Sequence, residues 1–382
     1  MRIVHYIPRI DLAEGGVVRA VLDTCTLTRE AGYSVTLITR DAKDAPDSLR
    51  DSLVVLSGKP ALLSRLSGPD LAVASRAIAE SDAVHLHTPW DPANVQLARA
   101  ASRSGKPYVV SIHGMLDDWS MAQSAPKKRL YLALAGRNLL EGAAFVHCTA
   151  EGERAQSARW YPRGRARVVP LVMDLAEYMT LPDAGIAHAR FAGVDWSKPV
   201  VLFLSRIHHK KGIEVLIDAC AELARRGAAH SLVVAGTGDE AYTRSLVDRA
   251  LERGIGDRAH FVGLVTGVEK ISLYRAATVF ALPTSQENFG LVLPEALACG
   301  TPVVTTKGVD IWPELESSGG ALIADPATPE QFAQHIGALL GTRARRDEMG
   351  AKGREWVLSS LSAESVMGLY VEMYREAITR GS

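Results

Sequence analysis

The chain has 382 residues, 47% of them hydrophobic and 23% charged, which is ordinary for a globular protein and long enough for two domains. Its 43 Lys+Arg balance 43 Asp+Glu, and no basic stretch carries interleaved aromatics, which argues against a nucleic-acid binder. No apolar run reaches the ~18 residues of a membrane-crossing helix, and Cys25, Cys148, Cys220 and Cys299 are too scattered for a zinc or redox motif, as expected of buried thiols in a reducing cytoplasm.

Short apolar strands alternate with helical patterns from the first residues onward. The opening apolar stretch is too short for a signal peptide and reads as a strand. Strands are predicted at 2–8, 35–39, 53–56, 83–87, 108–112 and 145–148, with 167–170 as a last one. Periodicity then fades over 171–198, which contains Pro182, Gly185 and Gly193 and marks a passage between domains. A second series is predicted at 200–205, 231–235, 259–262, 278–283, 302–305 and 321–324. Two doubly wound α/β domains account for this alternation. Residues 1–170 carry 22 Lys+Arg against 17 Asp+Glu, a surplus compatible with an anionic membrane surface and equally with scattered solvated charge.

In such sheets ligands lie beyond the carboxyl ends of the strands, so the loops there carry the chemistry. Gly15 and Gly16 precede a helix and allow close backbone approach, but the spacing is not G-x-G-x-x-G. His85 and His87 share one face of a strand, with no third metal ligand evident. Trp90 follows and offers a ring to a sugar face. His113 and Gly114 stand just past a buried strand, and Asp117, Asp118 and Trp119 come next, as acceptor contacts or as a solvated turn. Residues 126–137 join Lys127, Lys128 and Arg129 to a nearly continuous apolar run. Membrane contact is one reading of that run; a buried helix with a basic start is the favoured one. Arg206 and Lys211 can converge on a diphosphate, the first as a planar fork and the second as a point charge. The loops at 235–239 and 263–266 suit a nucleobase. Residues 361–379 form an amphipathic helix.

The most informative stretch is Thr284 to Glu295. An apolar strand leads into it and a helix, predicted at 291–299, leads out, with Pro294 in the first turn. Gly290 admits a ligand close to the backbone, and the N–H groups of Gly290 and Leu291 suit an anion. Glu287 and Glu295 flank that point and suit sugar hydroxyls, which donate to carboxylates.

Glu287-Asn-Phe289-Gly290 with Glu295 eight positions after the first Glu, continued by Leu-Ala-Cys-Gly-Thr-Pro-Val-Val to 304, resembles the E-x7-E signature of retaining glycosyltransferases of family 4. Ser205-Arg206…Lys211-Gly212 resembles the family's Gly-Arg-Leu…Lys-Gly, and Ser-Ile-His113-Gly its sugar-site His-Gly. The resemblance implies a GT-B fold, two Rossmann-like domains facing each other across a cleft. The acceptor-side domain would be 1–175 with a C-terminal helix (about 362–382) crossing back to it, and the donor domain 176–361. It implies that Glu287 and His113 contact the transferred hexose and that Glu295 reads the ribose. It also implies that Gly16, Arg206, Lys211, Phe289, Gly290 and Leu291 bind the donor. Trp90, Asp117 and Trp119 are the acceptor candidates. Leu171 and Val172 depart from the family's usual Asn-Gly at the hinge.

The implied reaction moves a hexose from a UDP- or GDP-sugar to a hydroxyl, with retention. The sequence has no Asp-x-Asp pair, so no metal and no cofactor is expected. The expected acceptor is a saccharide or a lipid-linked saccharide of surface polysaccharide synthesis. The expected setting is the cytoplasm, with peripheral contact at the inner face of the plasma membrane. A nucleotide-sugar epimerase of the same fold and a silent nucleotide-sugar-binding protein are the alternatives.

Overall fold

A computed structural model describes residues 1–14, 16–58 and 65–381. Gly15 of the Gly-Gly pair lies outside them. The chain divides into two compact units, residues 1–172 with 363–382, and residues 173–362.

In the first unit a seven-stranded parallel sheet has the order β3-β2-β1-β4-β5-β6-β7. Its strands are β1 (Arg2–Tyr6), β2 (Ser34–Thr39), β3 (Leu53–Val55), β4 (Ala83–His87), β5 (Tyr108–Ser111), β6 (Phe145–Cys148) and β7 (Ala166–Val168). Parallel strands need crossover helices, which cover both faces, so β4, β5 and β6 are buried at every position. The helix Gly16–Glu30 buries Val18, Val21, Leu22 and Cys25 against β2 residues Val35 and Leu37. The last helix, Ala363–Gly381, belongs to this unit and packs Val366, Met367, Tyr370, Met373 and Tyr374 against Ile3, Ala83, Val109 and Phe145.

The second unit has a six-stranded parallel sheet of order β10-β9-β8-β11-β12-β13. Its strands are β8 (Val200–Leu204), β9 (Ser231–Ala235), β10 (Ala259–Gly263), β11 (Val279–Leu282), β12 (Val303–Thr306) and β13 (Ala321–Ala324). Every strand expected from the sequence is present, with ends displaced by at most two residues, where hydrogen bonding rather than hydropathy sets the limit.

The favoured reading of 126–137 as a buried helix is corrected. The helix Ala125–Tyr131 has no buried residue, and it passes into a π turn, Leu132–Gly136, that buries only Leu132 and Gly136. Leu130 and Leu134 are 60% and 72% exposed. Leu130 and Leu134 fall outside the buried face despite the unbroken apolar run.

One glycine fixes the second unit's loop geometry. Gly212 has φ +65°, and a Cβ built there would lie 2.2 Å from the carbonyl oxygen of Pro283, at the end of β11. Gly212→Ala is therefore expected to destabilise by roughly 1–3 kcal/mol, read as a lowered thermal midpoint; an unchanged midpoint would show that the β8 loop does not need this close approach.

Candidate active site

In each sheet the strand order reverses once. Loops leaving the two strands at that point run to opposite sides and open a crevice. In the second unit the reversal falls between β8 and β11. The loop after β8 carries Arg206 and Lys211, and the loop after β11 carries Glu287 and Gly290.

Lys211 ends a short 3-10 turn, His209–Lys211, and its N–H donates to the His208 carbonyl at 2.8 Å. The side chain is buried and its ammonium donates to the Glu287 carboxylate. Burial, with Arg206 and Lys210 as neighbouring cations, brings Lys211 down to about 8. Arg206 is exposed and has no ion pair among the described residues. The sequence-predicted diphosphate pair is thus brought together, and Lys211 directly joins Glu287, which spacing alone did not show. The neighbouring Lys210 instead donates to the Gln286 side chain at 3.1 Å.

Glu287 is placed by its backbone. Its N–H donates to the Gly308 carbonyl at 2.8 Å and its carbonyl accepts from Asp310 N–H at 3.0 Å, and Asn288 Nδ2 donates to Asp310 Oδ2 at 3.0 Å. Gly308 and Asp310 follow β12 and carry no motif of their own. Gly290 has φ +63°, and the helix beyond it runs Val292–Ala298, one residue shorter at each end than expected. The N–H groups of Gly290 and Leu291 make no hydrogen bond among the described residues. Phe289 is buried beside them, and Leu291 is partly exposed.

Glu295 sits in the first turn of that helix. Lys270 Nζ donates to one carboxylate oxygen at 2.8 Å and Tyr274 OH to the other at 3.0 Å. The Tyr178 hydroxyl also faces this carboxylate, which has about four acceptor positions in all. Lys270 and Tyr274 were not singled out in the sequence; their spacing of four on the helix Gly267–Ala276 was the available signal. The loop at 235–239 is held by Gly236 N–H donating to the Gly263 carbonyl at 2.7 Å, and Asp239 caps the next helix through Tyr242 N–H at 2.8 Å.

In the first unit the reversal falls between β1 and β4. Tyr6 OH and Arg40 Nη2 both donate to Asp91 Oδ2, at 3.0 and 2.8 Å, while Oδ1 caps the helix Pro92–Arg103 through Ala93 N–H. Gly16 is exposed at the start of its helix with open space around it. His113 has φ +48° and Gly114 follows at +72°. Gly114 N–H donates to Glu153, which also accepts from Thr149 Oγ1 at 3.0 Å, so a buried carboxylate absent from the sequence reading holds this turn. Asp117, expected at an acceptor, is buried and accepts from Ser120 N–H as the N-cap of the helix Asp118–Ala122, which is a structural task. Trp119 is 41% exposed.

Trp90 lies in the wall of a cavity of about 840 Å³, with Arg99, Lys127, Lys128, Tyr131 and Leu134. Lys128 Nζ stands 5.3 Å from the Trp90 ring centroid, and Tyr131 packs edge-on to the same ring. Among the described residues Trp90 Nε1 and Tyr131 OH are buried without a hydrogen-bond partner. Arg99 and Lys127 have no acidic partner among the described residues. A basic cavity with two unsatisfied polar atoms suits an anionic ligand.

Beneath these loops the sheet interior holds a cluster of imidazoles. His5, His85 and His87 come within ligand distance of one another, so β1 supplies the third histidine that the H-x-H pair lacked. Parallel register places His5 beside His85, an adjacency invisible in the sequence.

The chain matches the family described as Glycosyl transferase 4-like domain over residues 15–171 and Glycosyl transferases group 1 over 188–356. It is 31% identical to a D-inositol 3-phosphate glycosyltransferase of Catenulispora acidiphila, over 96% of this chain and 92% of that one. It is 30% identical to the GDP-mannose-dependent alpha-(1-6)-phosphatidylinositol monomannoside mannosyltransferase of Mycobacterium tuberculosis, over 76% of each. The chain belongs to glycosyltransferase family 4. Its fold is similar to that of Anabaena HepE in complex with UDP (TM-score 0.78, 19% identity, 97% of this chain and 99% of that one). It is also similar to sucrose-phosphate synthase of Thermosynechococcus elongatus (TM-score 0.73, 22% identity, 99% of both). The fold is GT-B. Among the described residues no helix is long and apolar enough to cross a membrane.

Burial brings His5 and His113 down to about 3 and His147 to about 4, and holds His85 and His87 well below the usual imidazole range. The unfolded chain takes up these protons near pH 6.5 and the folded one does not, so stability is full above that pH and falls as pH is lowered toward 4. Each imidazole adds about 1.4 kcal/mol per pH unit on that limb. Urea midpoints measured from pH 7.5 to 4.5 should drop steeply, and a flat profile would contradict burial of these rings in the neutral form.

Proposed function

We propose that this glycosyltransferase moves a hexosyl group from a UDP- or GDP-sugar to a hydroxyl of a phosphate-bearing saccharide or lipid-linked saccharide, with retention and without a metal. The observation that carries the reading is the joining of Lys211 to Glu287, with Arg206 close by, across the β8–β11 reversal. Arg206, Lys211 and the unpaired N–H groups of Gly290 and Leu291 take the diphosphate. Charge grows on that group as the sugar departs, so donors fixed there stabilise the transition state more than the ground state. Glu287 accepts from hexose hydroxyls once the diphosphate draws Lys211, and Glu295, held by Lys270 and Tyr274, accepts from the ribose. Phe289, Gly16 and His113 complete the donor contacts. The departing phosphate oxygen takes the acceptor's proton on the same face.

The basic cavity beside Trp90 supports a phosphate-bearing acceptor. The two relatives act on acceptors that carry phosphate, D-inositol 3-phosphate and a phosphatidylinositol mannoside. Leu130 and Leu134, exposed beside Lys127 and Arg129, support peripheral contact with an anionic membrane during surface polysaccharide synthesis.

The deciding experiment is a thermal-shift screen against UDP, GDP, ADP and their sugar conjugates, with EDTA present. A shift with one nucleotide, unaffected by EDTA, is expected by linkage; no shift with any would overturn the reading. Arg206→Ala should leave the melting midpoint in place and lower kcat about 10²–10³-fold; near-normal turnover would remove Arg206 from the diphosphate. Lys211 carries its charge below about pH 8. In the free enzyme that charge is lost as pH rises, so kcat/KM should decline above pH 8, and a level profile to pH 9.5 would contradict a charged Lys211 at the phosphate.

A further inference from the structure

The imidazole cluster of the first unit is organised as two hydrogen-bonded chains. The first can be traced proton by proton. His147 Nε2 lies 2.8 Å from the Val169 carbonyl, which only accepts, so Nε2 carries the proton and Nδ1 is a lone pair. Ser111 Oγ, 2.6 Å away, donates to that Nδ1. The Ser111 oxygen in turn accepts from His85 Nε2 at 2.6 Å, which leaves His85 Nδ1 as an acceptor for Tyr374 OH at 2.7 Å. One carbonyl thereby sets every tautomer as far as the C-terminal helix.

The second chain runs His5 Nδ1 to His87 Nε2 at 3.1 Å and His87 Nδ1 to His113 Nε2 at 3.1 Å. Among the described residues His5 Nε2 is buried without a partner. Two polarities are open to three neutral imidazoles. One leaves an orphaned N–H at His5 Nε2, and the other leaves an orphaned lone pair. Buried N–H groups without acceptors are the rarer case. The protons therefore sit on His5 Nδ1 and His87 Nδ1, each donating onward, and His113 Nε2 accepts. His113 must then carry its proton on Nδ1, which has no partner among the described residues.

A metal held by His5, His85 and His87 fits less well. Both nitrogens of His85 already have short partners, and the His85 and His87 rings stack at 4.3 Å with planes 25° apart instead of converging on a point.

We propose that His5 and His87 are positioning residues that lock His113 as the Nδ1–H tautomer, so that it presents a hydrogen-bond donor to an oxygen of the bound substrate at the carboxyl end of β5. The inference rests on the reading of His113 as a sugar-site residue, while the tautomer itself is independent of any activity. A neutral imidazole whose far nitrogen is held by a partner keeps one orientation and one tautomer. The substrate atom facing His113 is then an acceptor, and a group that can only donate is rejected there.

The test uses the full chain labelled with [15N]histidine and long-range 1H–15N correlation at pH 7.5, with His113→Gln for assignment. Wild type should show a protonated Nδ1 and an unprotonated Nε2 at His113; the opposite tautomer overturns the proposal. His5→Leu removes the end of the chain, and His5→Asn restores a donor where Nδ1 stood. His5→Leu should give a mixed His113 tautomer and lower kcat about tenfold with nucleotide affinity unchanged, and His5→Asn should recover both. A single Nδ1–H tautomer in His5→Leu overturns the proposal, as does a cobalt(II) complex with visible absorption that His5→Leu abolishes. If wild type transfers no sugar from any donor, the functional reading fails and the wild-type spectrum still decides the tautomer.

Discussion

The constraint on which both units depend is the single reversal of strand order in a parallel sheet. Each crossover must lie on one face or the other, and where the winding changes sides two adjacent loops separate. Nothing in the backbone fills that gap. β8 and β11 flank it in one unit, β1 and β4 in the other. The loops that leave these four strands hold Arg206, Lys211, Glu287, Gly16, Trp90 and Asp91, and His113 follows the next strand, β5. The chemistry is concentrated there because the sheet leaves room there.

Close backbone approach turns that room into geometry. Gly212 lies against the Pro283 carbonyl, Gly236 against the Ser205 carbonyl and Gly238 against that of Ile207, each nearer than any Cβ could come. Side chains would force the loops apart, and the Lys211–Glu287 pair would separate with them. Glu295 is held differently, by two donors on one neighbouring helix, so its carboxylate keeps its direction in a partly buried setting.

The first unit meets a separate demand. Its central strands are buried on both faces yet carry His5, His85, His87, Ser111 and His147. Burying such groups unpaired is costly, and among the described residues every ring nitrogen of these four histidines but His5 Nε2 has a partner. The last helix takes part through Tyr374, so the return of the C-terminal segment to this unit is a hydrogen-bonding requirement as well as an apolar one.

The sequence by itself determined the alternation of strands and helices, the two sheets, and the stretch from Glu287 to Glu295, because hydropathy period and glycine placement act over a few neighbouring residues. Its reading of 126–137 as buried failed, since an unbroken apolar run does not say which side of a helix meets the core. Asp117 was legible as a polar loop residue but not as a helix cap. The pairing of Lys270 and Tyr274 with Glu295, the places of Glu153 and Gly308, and the adjacency of His5 to His85 were decided only by the tertiary structure. Each depends on which strands become neighbours and in what register, and pairing between segments tens of residues apart leaves no local trace in the chain.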